Sequence, residues 1–330
     1  MTKSHNEDTD FKKSRPEGKP ESDDPPGNPE SPTAALASIE KYKAEPEIDA
    51  NRYAEIALKS KVPLLRFLQV TMKEDMLFLL PRILMRTIRT MRRIPHTFFI
   101  KDEVELEHYV FQTIAQWSKS ILKIAKMKLD IRGIEYIKPD QTYLFVSNHR
   151  SPADIPVLFA TIPQPVAFVA NAIFQKIPAL SYWMRASGTV FIDQNNPKSA
   201  LAAFKSMARR LSKGRSLVLF PEGHMHQGKG VDTFNRGGIF SAVLTGTPIV
   251  PICLYGTDKV IRPGSFHINP YKHVIVEVCA PIETTNLRRT EKKDIDAIVH
   301  DIIAEKRSFY EKRQPAPKKD STQAASRILP

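Results

Sequence analysis

The stretch YLFVSNHRSPAD, residues 143–154, joins an apolar run to the opening of a helix and decides how the middle of the chain folds. Tyr143 to Val146 has the composition of a buried strand, and Pro152 suits the first position of a helix. Ser151 is placed to cap this helix, which we expect over 152–161. The stretch therefore predicts a strand that runs into a helix and presents His149 where the two meet.

Strand and helix patterns alternate through the rest of the middle of the chain, which is typical of an α/β fold. The strands are expected at 141–147, 166–170, 189–192, 216–220, 248–255 and 273–279. The helices are expected at 152–161, 171–186, 198–212, 236–245 and 291–312. We predict an α/β domain with a central mixed sheet flanked by helices and preceded by amphipathic N-terminal helices.

Four residues separate His149 from Asp154. An imidazole at a strand end, with a carboxylate about one helical turn later, can act as a general base and its orienting partner. Helix-terminal N–H groups near Ser151 are candidates to stabilise a developing oxyanion. A purely structural alternative is a helix cap, since an acid in a first turn is common. The pair alone leaves both interpretations open.

Three later segments add to this pair: GTVFIDQ at 188–194, FPEG at 220–223 and TPIVPI at 247–252. Together with the His149 and Asp154 segment, they resemble in order and spacing the four motifs of the glycerolipid acyltransferases, typified by the lysophosphatidate acyltransferases. The resemblance covers about residues 125–285. Four ordered motifs are far more specific than any one of them.

The resemblance implies an enzyme in which His149 deprotonates an acceptor hydroxyl and Asp154 holds the imidazole in the required tautomer. The hydroxyl would attack an acyl thioester of coenzyme A or of acyl carrier protein, with no further cofactor and no metal. The resemblance implies that Glu222 and Gly223 shape the acceptor pocket, and we expect Asn148 and Gln194 to contact the substrate as well.

Two departures from the motifs affect the acceptor. Gln194 stands where the family has an arginine, and His224-Met225 stands where it has Thr-Arg. The arginines of the family clamp the acceptor's phosphate, so we name Lys229 and Arg236 as candidate replacements. Lysophosphatidate remains the expected acceptor in phospholipid biosynthesis. A lysophospholipid, another lipid hydroxyl, or a catalytically inactive lipid-binding relative are the alternatives.

Two other motifs are weaker indicators of function, one of nucleotide hydrolysis and one of metal binding. Gly223, Gly228 and Lys229 approach the phosphate-binding loop of nucleotide hydrolases, but Gly230 stands where a Ser or Thr would bind magnesium. His224 and His226 form a His-x-His pair, which without a neighbouring cysteine or an acid of known position favours a polar loop over a metal site.

Composition divides the 330 residues into four segments. Residues 1–50 carry twelve acids, seven bases and many prolines, which predicts a disordered tail. Residues 51–126 form a basic helical segment for membrane association, 127–313 the acyltransferase domain, and 314–330 a flexible tail. The net charge of +13 also suits acidic acyl carrier protein, whereas no nucleic-acid motif accompanies it.

The positive charge is concentrated in residues 52–101, where eleven bases face three acids. An apolar stripe recurs every fourth residue from Leu64 to Ile88, and Pro81 is expected to start a second helix. This helix has arginines on one face and apolar residues on the other; they are Arg82, Arg86, Arg89 and Arg93 against Leu84, Ile88 and Met91. Such helices bind anionic lipid surfaces, although a helix packed on the domain is the alternative.

A third helix is expected at 103–126, with Trp117 in the core or at the lipid interface. The uncharged runs 155–175 and 237–257 are interrupted by proline, so we predict no transmembrane span. Cys253 and Cys279 lie in apolar strands, which favours buried thiols in a reducing compartment. We therefore expect a peripheral or monotopic protein on the cytoplasmic face of a membrane, with membrane lipids as partners.

Overall fold

A seven-stranded sheet forms the centre of the computed structural model, which describes residues 74–264 and 267–313. The strands are β1 (Lys128–Arg132), β2 (Leu144–Ser147), β3 (Val166–Asn171), β4 (Val190–Ile192), β5 (Ser216–Leu219), β6 (Ile249–Tyr255) and β7 (His273–Val278). Their order is β1-β7-β6-β2-β5-β3-β4. The pairs are parallel except β6 with β7, which is antiparallel, so the predicted mixed sheet is confirmed.

Nine α-helices accompany the sheet in the described part of the chain. They are α1 (Glu74–Met91), α2 (Ile94–Thr97), α3 (Glu103–Ile124), α4 (Asp154–Thr161), α5 (Pro178–Ala186), α6 (Pro197–Ser212), α7 (Phe240–Thr245), α8 (Arg289–Lys293) and α9 (Ile295–Arg313). Short 3₁₀ turns lie at Ile134–Tyr136, Ala172–Lys176 and Thr257–Lys259.

The two faces of the sheet bury separate apolar clusters. Phe145, Val250 and Val276 face the cluster that receives α3 and α4, whereas Leu144 and Leu217 face the cluster that receives α6 and α9. The central strands β2, β5 and β6 are buried along their whole length. Burial on both faces explains their continuous apolar sequences, since parallel strands covered by helices lack polar alternation.

Several predicted element boundaries are wrong, each for a local reason. The helix after His149 begins at Asp154 rather than Pro152, because Ser151 caps a preceding turn. The predicted single helix 171–186 is divided into a 3₁₀ turn and the helix α5. The division falls at Pro178, because proline lacks the N–H that would continue the first turn into the helix. Strand β1 was not predicted; it is a half-exposed edge strand and pairs only with β7 among the described strands.

Pro81 does not start a helix as predicted but lies inside α1. A proline removes one backbone hydrogen bond, and flanking helix-forming residues can carry a helix through it. Thr87 on this helix accepts a hydrogen bond of 3.1 Å from the Trp117 indole, which joins α1 to α3. Leu84, Met85 and Ile88 are exposed.

Other predictions lie outside the described residues. These are the tails at 1–50 and 314–330 and the segment 51–73, which includes Leu64, Leu68 and Met72 of the apolar stripe. No helix of residues 74–264 or 267–313 has the length and apolar character needed to cross a membrane. Cys253 and Cys279 are buried free thiols, and burial raises their pKa values to about 12 and about 11.

Candidate active site

The candidate active site lies at the carboxyl edge of β2, β5 and β6. The neighbouring strands β2 and β5 are parallel, so their ends lie at the same edge of the sheet. His149 follows β2 and Glu222 follows β5, and the Glu222 carboxylate accepts a hydrogen bond of 2.8 Å from the His149 backbone N–H. This edge is where open α/β sheets commonly bind their ligands.

His149 and Asp154 are in direct contact. His149 Nδ1 lies 2.8 Å from Asp154 Oδ2, so Nδ1 carries the hydrogen and Nε2 has a free lone pair. The imidazole stacks on the Phe220 ring, with 4.2 Å between ring centroids and 16° between planes. The His149 side chain is 18% exposed and that of Asp154 is fully buried. The ring is thus fixed in orientation and still open to a ligand.

Asp154 Oδ2 also accepts hydrogen bonds from the backbone N–H groups of Arg150, at 2.7 Å, and Ser151, at 2.9 Å. The carboxylate therefore organises the whole turn between β2 and α4. The expectation that N–H groups near Ser151 stabilise an oxyanion is wrong for these two, because both point at Asp154.

Glu222 is buried and its two carboxylate oxygens are used internally. Oε1 accepts from His149 N and Oε2 accepts from Asp232 N at 3.1 Å. Burial raises the pKa of Glu222, while these two hydrogen bonds oppose the rise. Only 2% of the residue is exposed. The expected contact between Glu222 and the acceptor is thus corrected: the side chain positions the His149 backbone.

Asn148 is fully buried, which corrects its expected role as a substrate contact. Its amide oxygen accepts from Leu254 N at 2.8 Å and its amide nitrogen donates to Leu254 O at 3.0 Å. This double hydrogen bond ties the end of β2 to β6. Asn148 therefore holds His149 in place without facing a ligand.

Gln194 and Gly223 meet at the second and third motifs. The Gln194 amide donates to the Gly223 carbonyl at 3.0 Å, and Gly223 has φ +76°, which only glycine adopts without strain. A Cβ at Gly223 would lie 2.6 Å from the Gln194 amide nitrogen. The glutamine thus makes a neutral contact where the family has a charged side chain.

The two candidate cations, Lys229 and Arg236, are exposed. The positive charge of Arg236 acts to lower the pKa of Asp296 on α9. Lys229 lies in the loop 224–232. Residues 231–238 form no helix, so the segment lacks the helix that follows a phosphate-binding loop.

Arg150 is a site residue that the sequence did not single out. Its guanidinium is buried and donates to the carbonyl oxygens of Gly228 and Gly230, the latter at 3.3 Å. Burial and the nearby Arg307 lower the pKa of Arg150. The one feature of the sequence that could have indicated a role for Arg150 in the site is its position next to His149.

Helix α9 supports the same edge of the sheet. Arg307 donates to Leu254 O at 3.0 Å, the carbonyl that also binds Asn148. Glu311 accepts from Arg307 at 2.8 Å and from Gly230 N at 3.3 Å. The loop 224–232 is therefore attached both to the His149 turn and to the last described helix.

A cluster of His224, His226 and Asp232 lies in this loop. Asp232 Oδ2 is 3.1 Å from His224 Nε2 and 3.5 Å from His226 Nδ1. The His226 backbone N–H donates to the His149 carbonyl at 3.0 Å, so the cluster adjoins the candidate base.

Comparisons with known proteins bear on the family that the sequence motifs resemble. The protein-family model described as Acyltransferase matches residues 128–255. The chain is 28% identical over 188 residues to the 1-acyl-sn-glycerol-3-phosphate acyltransferase of Borreliella burgdorferi, covering 57% of this chain and 75% of that protein. It is 33% identical over 156 residues to the chloroplastic enzyme of that name from Brassica napus, covering 47% of this chain but only 45% of the relative.

The fold has a match among solved structures. The crystal structure of the 1-acyl-sn-glycerophosphate acyltransferase PlsC from Thermotoga maritima superposes with a TM-score of 0.63 at 22% identity. The match covers 73% of this chain and 98% of that one. The comparisons confirm the resemblance to the glycerolipid acyltransferases, and they confirm that the chain is an acyltransferase enzyme.

Proposed function

We propose that this acyltransferase moves a fatty acyl group from an acyl thioester to the hydroxyl of a lysophosphatidate-type glycerolipid at a membrane surface. The observation that carries the proposal is the 2.8 Å contact between His149 Nδ1 and Asp154 Oδ2 at an open sheet edge. The relatives from Borreliella burgdorferi and Brassica napus are both named 1-acyl-sn-glycerol-3-phosphate acyltransferase, which supports the acceptor class.

The residues of the site suit a direct transfer. His149 Nε2 accepts the proton of the acceptor hydroxyl as its oxygen attacks the thioester carbonyl carbon. The new C–O bond forms, the C–S bond breaks, and the thiolate leaves and takes the proton from the imidazolium. Asp154 stabilises the imidazolium, and general base catalysis of this kind contributes roughly 10²- to 10⁴-fold. The donor is acyl-coenzyme A or acyl carrier protein.

One observation favours a second acceptor class. Gln194 is neutral and its amide already binds the Gly223 carbonyl, so it does not replace a phosphate-clamping arginine. A lysophospholipid whose phosphate is a diester carries less charge and needs a weaker clamp. We therefore retain a lysophospholipid acceptor beside lysophosphatidate.

Membrane association is part of the proposal. The exposed apolar side chains of α1 and of the turn after α2 are of the kind that enters a lipid interface; they are Phe78, Leu84, Met85, Ile88, Phe98 and Phe99. Arg82, Arg89, Arg92 and Arg93 are exposed in the same region and would attract anionic lipid. We propose a peripheral or monotopic protein on the cytoplasmic face.

The test is a product analysis. Purified protein is incubated with isotopically labelled acyl-coenzyme A or acyl carrier protein and a panel of lyso-lipids, and the products are identified by mass spectrometry. We expect phosphatidate from lysophosphatidate, whereas diacyl phospholipid alone would establish the second acceptor class.

The matched variant is His149→Ala. We expect it to lose acyl transfer by roughly 10²-fold or more while it still binds anionic vesicles. A wild-type protein that binds vesicles but transfers nothing from either donor would identify an inactive lipid-binding relative and overturn the proposal.

A further inference from the structure

We infer that His224, His226 and Asp232 form a binding site for a divalent transition-metal cation of the Zn²⁺ class. No part of acyl transfer by His149 requires such a cation, so the inference does not depend on the proposed function. The His-x-His pair lacked an acid of known position in the sequence. The structure supplies Asp232, six residues after His226.

The two distances to Asp232 suit one shared cation. One ligand atom of each residue lies within 4.8 Å of the other two. The carboxylate oxygen is 3.1 Å from His224 Nε2 and 3.5 Å from His226 Nδ1. Zinc binds nitrogen and oxygen at about 2.0–2.2 Å, which places the ligand atoms of a tetrahedral site about 3.3 Å apart.

The far nitrogen of each ring is held by a backbone carbonyl. His224 Nδ1 lies 2.9 Å from Glu222 O, and His226 Nε2 lies 3.3 Å from Lys229 O. A carbonyl oxygen only accepts, so each of these nitrogens carries the hydrogen and donates it. In a neutral imidazole the other nitrogen then presents its lone pair, which is the arrangement found in histidines that bind metals.

Both nitrogens lie close to one carboxylate oxygen, Asp232 Oδ2. When both rings are neutral, two lone pairs and an anionic oxygen at these separations repel one another, and either a proton on a ring or a cation among the three atoms removes that repulsion. Asp232 Oδ1 accepts the Thr233 N–H at 2.7 Å, which leaves Oδ2 to face the rings. A divalent cation bound to the three atoms would replace the repulsion by attraction.

The loop that carries the cluster is anchored on rigid parts of the fold. His226 N donates to His149 O at 3.0 Å and Asp232 N donates to Glu222 Oε2 at 3.1 Å. Gly228 lets the His226 ring approach the loop, since a Cβ there would lie 2.7 Å from Nε2. The three side chains remain 22–35% exposed, so a cation from solvent can reach them and a water or an anion can complete the coordination.

The test measures metal binding by the tag-free full-length protein after treatment with a chelator and desalting. ZnCl₂ is titrated calorimetrically, CoCl₂ is followed by visible absorption, and MgCl₂ serves as a cation that prefers oxygen ligands. We expect one equivalent of Zn²⁺ to bind and the Co²⁺ spectrum to be that of a four- or five-coordinate ion. The two thiols do not compete, because Cys253 and Cys279 are buried.

The variants are His224→Gln, His226→Gln and Asp232→Asn, each expected to weaken Zn²⁺ binding about 100-fold or more, since loss of an outer partner alone costs roughly 10- to 100-fold. His300→Gln is the matched control: His300 pairs with Asp301 at 3.1 Å on α9, outside the cluster, and its loss should leave the affinity unchanged.

Zn²⁺ affinity that none of the three substitutions lowers, or no binding beyond that of the triple variant, would overturn the inference. X-ray absorption at the zinc edge of the wild-type protein tests it even where a variant fails to fold. We expect two imidazoles in the first shell, and a shell without imidazole contradicts the site.

Discussion

Asp154 serves both the backbone and the imidazole, because Oδ2 accepts from the N–H groups of Arg150 and Ser151 and from His149 Nδ1. In Asp154→Asn the amide oxygen can still accept from the backbone, but the negative charge that stabilises the imidazolium is gone. We expect kcat to fall about 100-fold or more with a small change in KM, as for other aspartates that orient a catalytic histidine. Steady-state acyl-transfer kinetics measure this.

Thermal unfolding provides the control for this substitution. Asp154→Asn should unfold close to the wild type, whereas Asp154→Ala should be destabilised because Arg150 N and Ser151 N lose their acceptor. If kcat of Asp154→Asn stays within a few-fold of wild type, Asp154 stabilises only the backbone turn and does not assist catalysis by His149.

The site residues differ in how far the sequence could predict them. The spacing of His149 and Asp154 places them about one turn apart at a strand end, so their contact followed from local geometry. The inward direction of Glu222 and the burial of Asn148 did not, because both depend on strands β5 and β6, which are distant in the chain. Arg150 was missed for the same reason: its carbonyl partners lie about 80 residues away.

Helix α1 has an exposed apolar surface that the sequence pattern anticipated. Leu84→Asp should weaken binding to anionic vesicles, because burying a leucine in lipid contributes about 1.5–3 kcal/mol, or roughly tenfold or more in the binding constant. The position is 60% exposed, so the fold should not change. Co-sedimentation with vesicles measures the effect.

The matched control is Leu244→Asp on α7, where the leucine is 61% exposed. It introduces the same charge elsewhere and should leave vesicle binding unchanged. Equal losses in the two variants would indicate a charge effect and contradict a lipid-facing α1.

At the scale of elements, the sequence predicted β2 to β7 and missed β1. The apolar runs of β2, β5 and β6 are unambiguous. Strand β1, which reads KLDIR, is half exposed and is specified by its pairing with β7 rather than by its own pattern. The prediction that a helix starts at Pro81 is wrong, because a helix can continue through one missing backbone hydrogen bond when the flanking residues favour the helix.

For the whole molecule, the buried carboxyl group of Asp296 links stability to pH. Burial raises the pKa of Asp296 from 3.8 to about 6, although the charge of Arg236 opposes the rise. The folded protein therefore holds this proton more tightly than the unfolded chain does. The stabilisation is complete below about pH 4 and is lost as the pH rises through 6.

Asp296→Asn removes this dependence. We expect the variant to be more stable than wild type at pH 8, by at most about 3 kcal/mol, and the gain to shrink as the pH falls towards 4. Chemical unfolding at several pH values measures the difference. Asp301→Asn on the same helix, where the side chain is 81% exposed, is the control and should show no such trend.

The attachment of α9 to the sheet edge has a practical consequence for anyone shortening this protein. The family match ends at residue 255, yet Arg307 and Glu311 hold Leu254 and Gly230 from outside it. A fragment that ends at residue 255 would keep His149 and Asp154 but lose the hydrogen bonds from Arg307 and Glu311 that hold this edge of the sheet. The smallest useful expression clone must therefore run through residue 313.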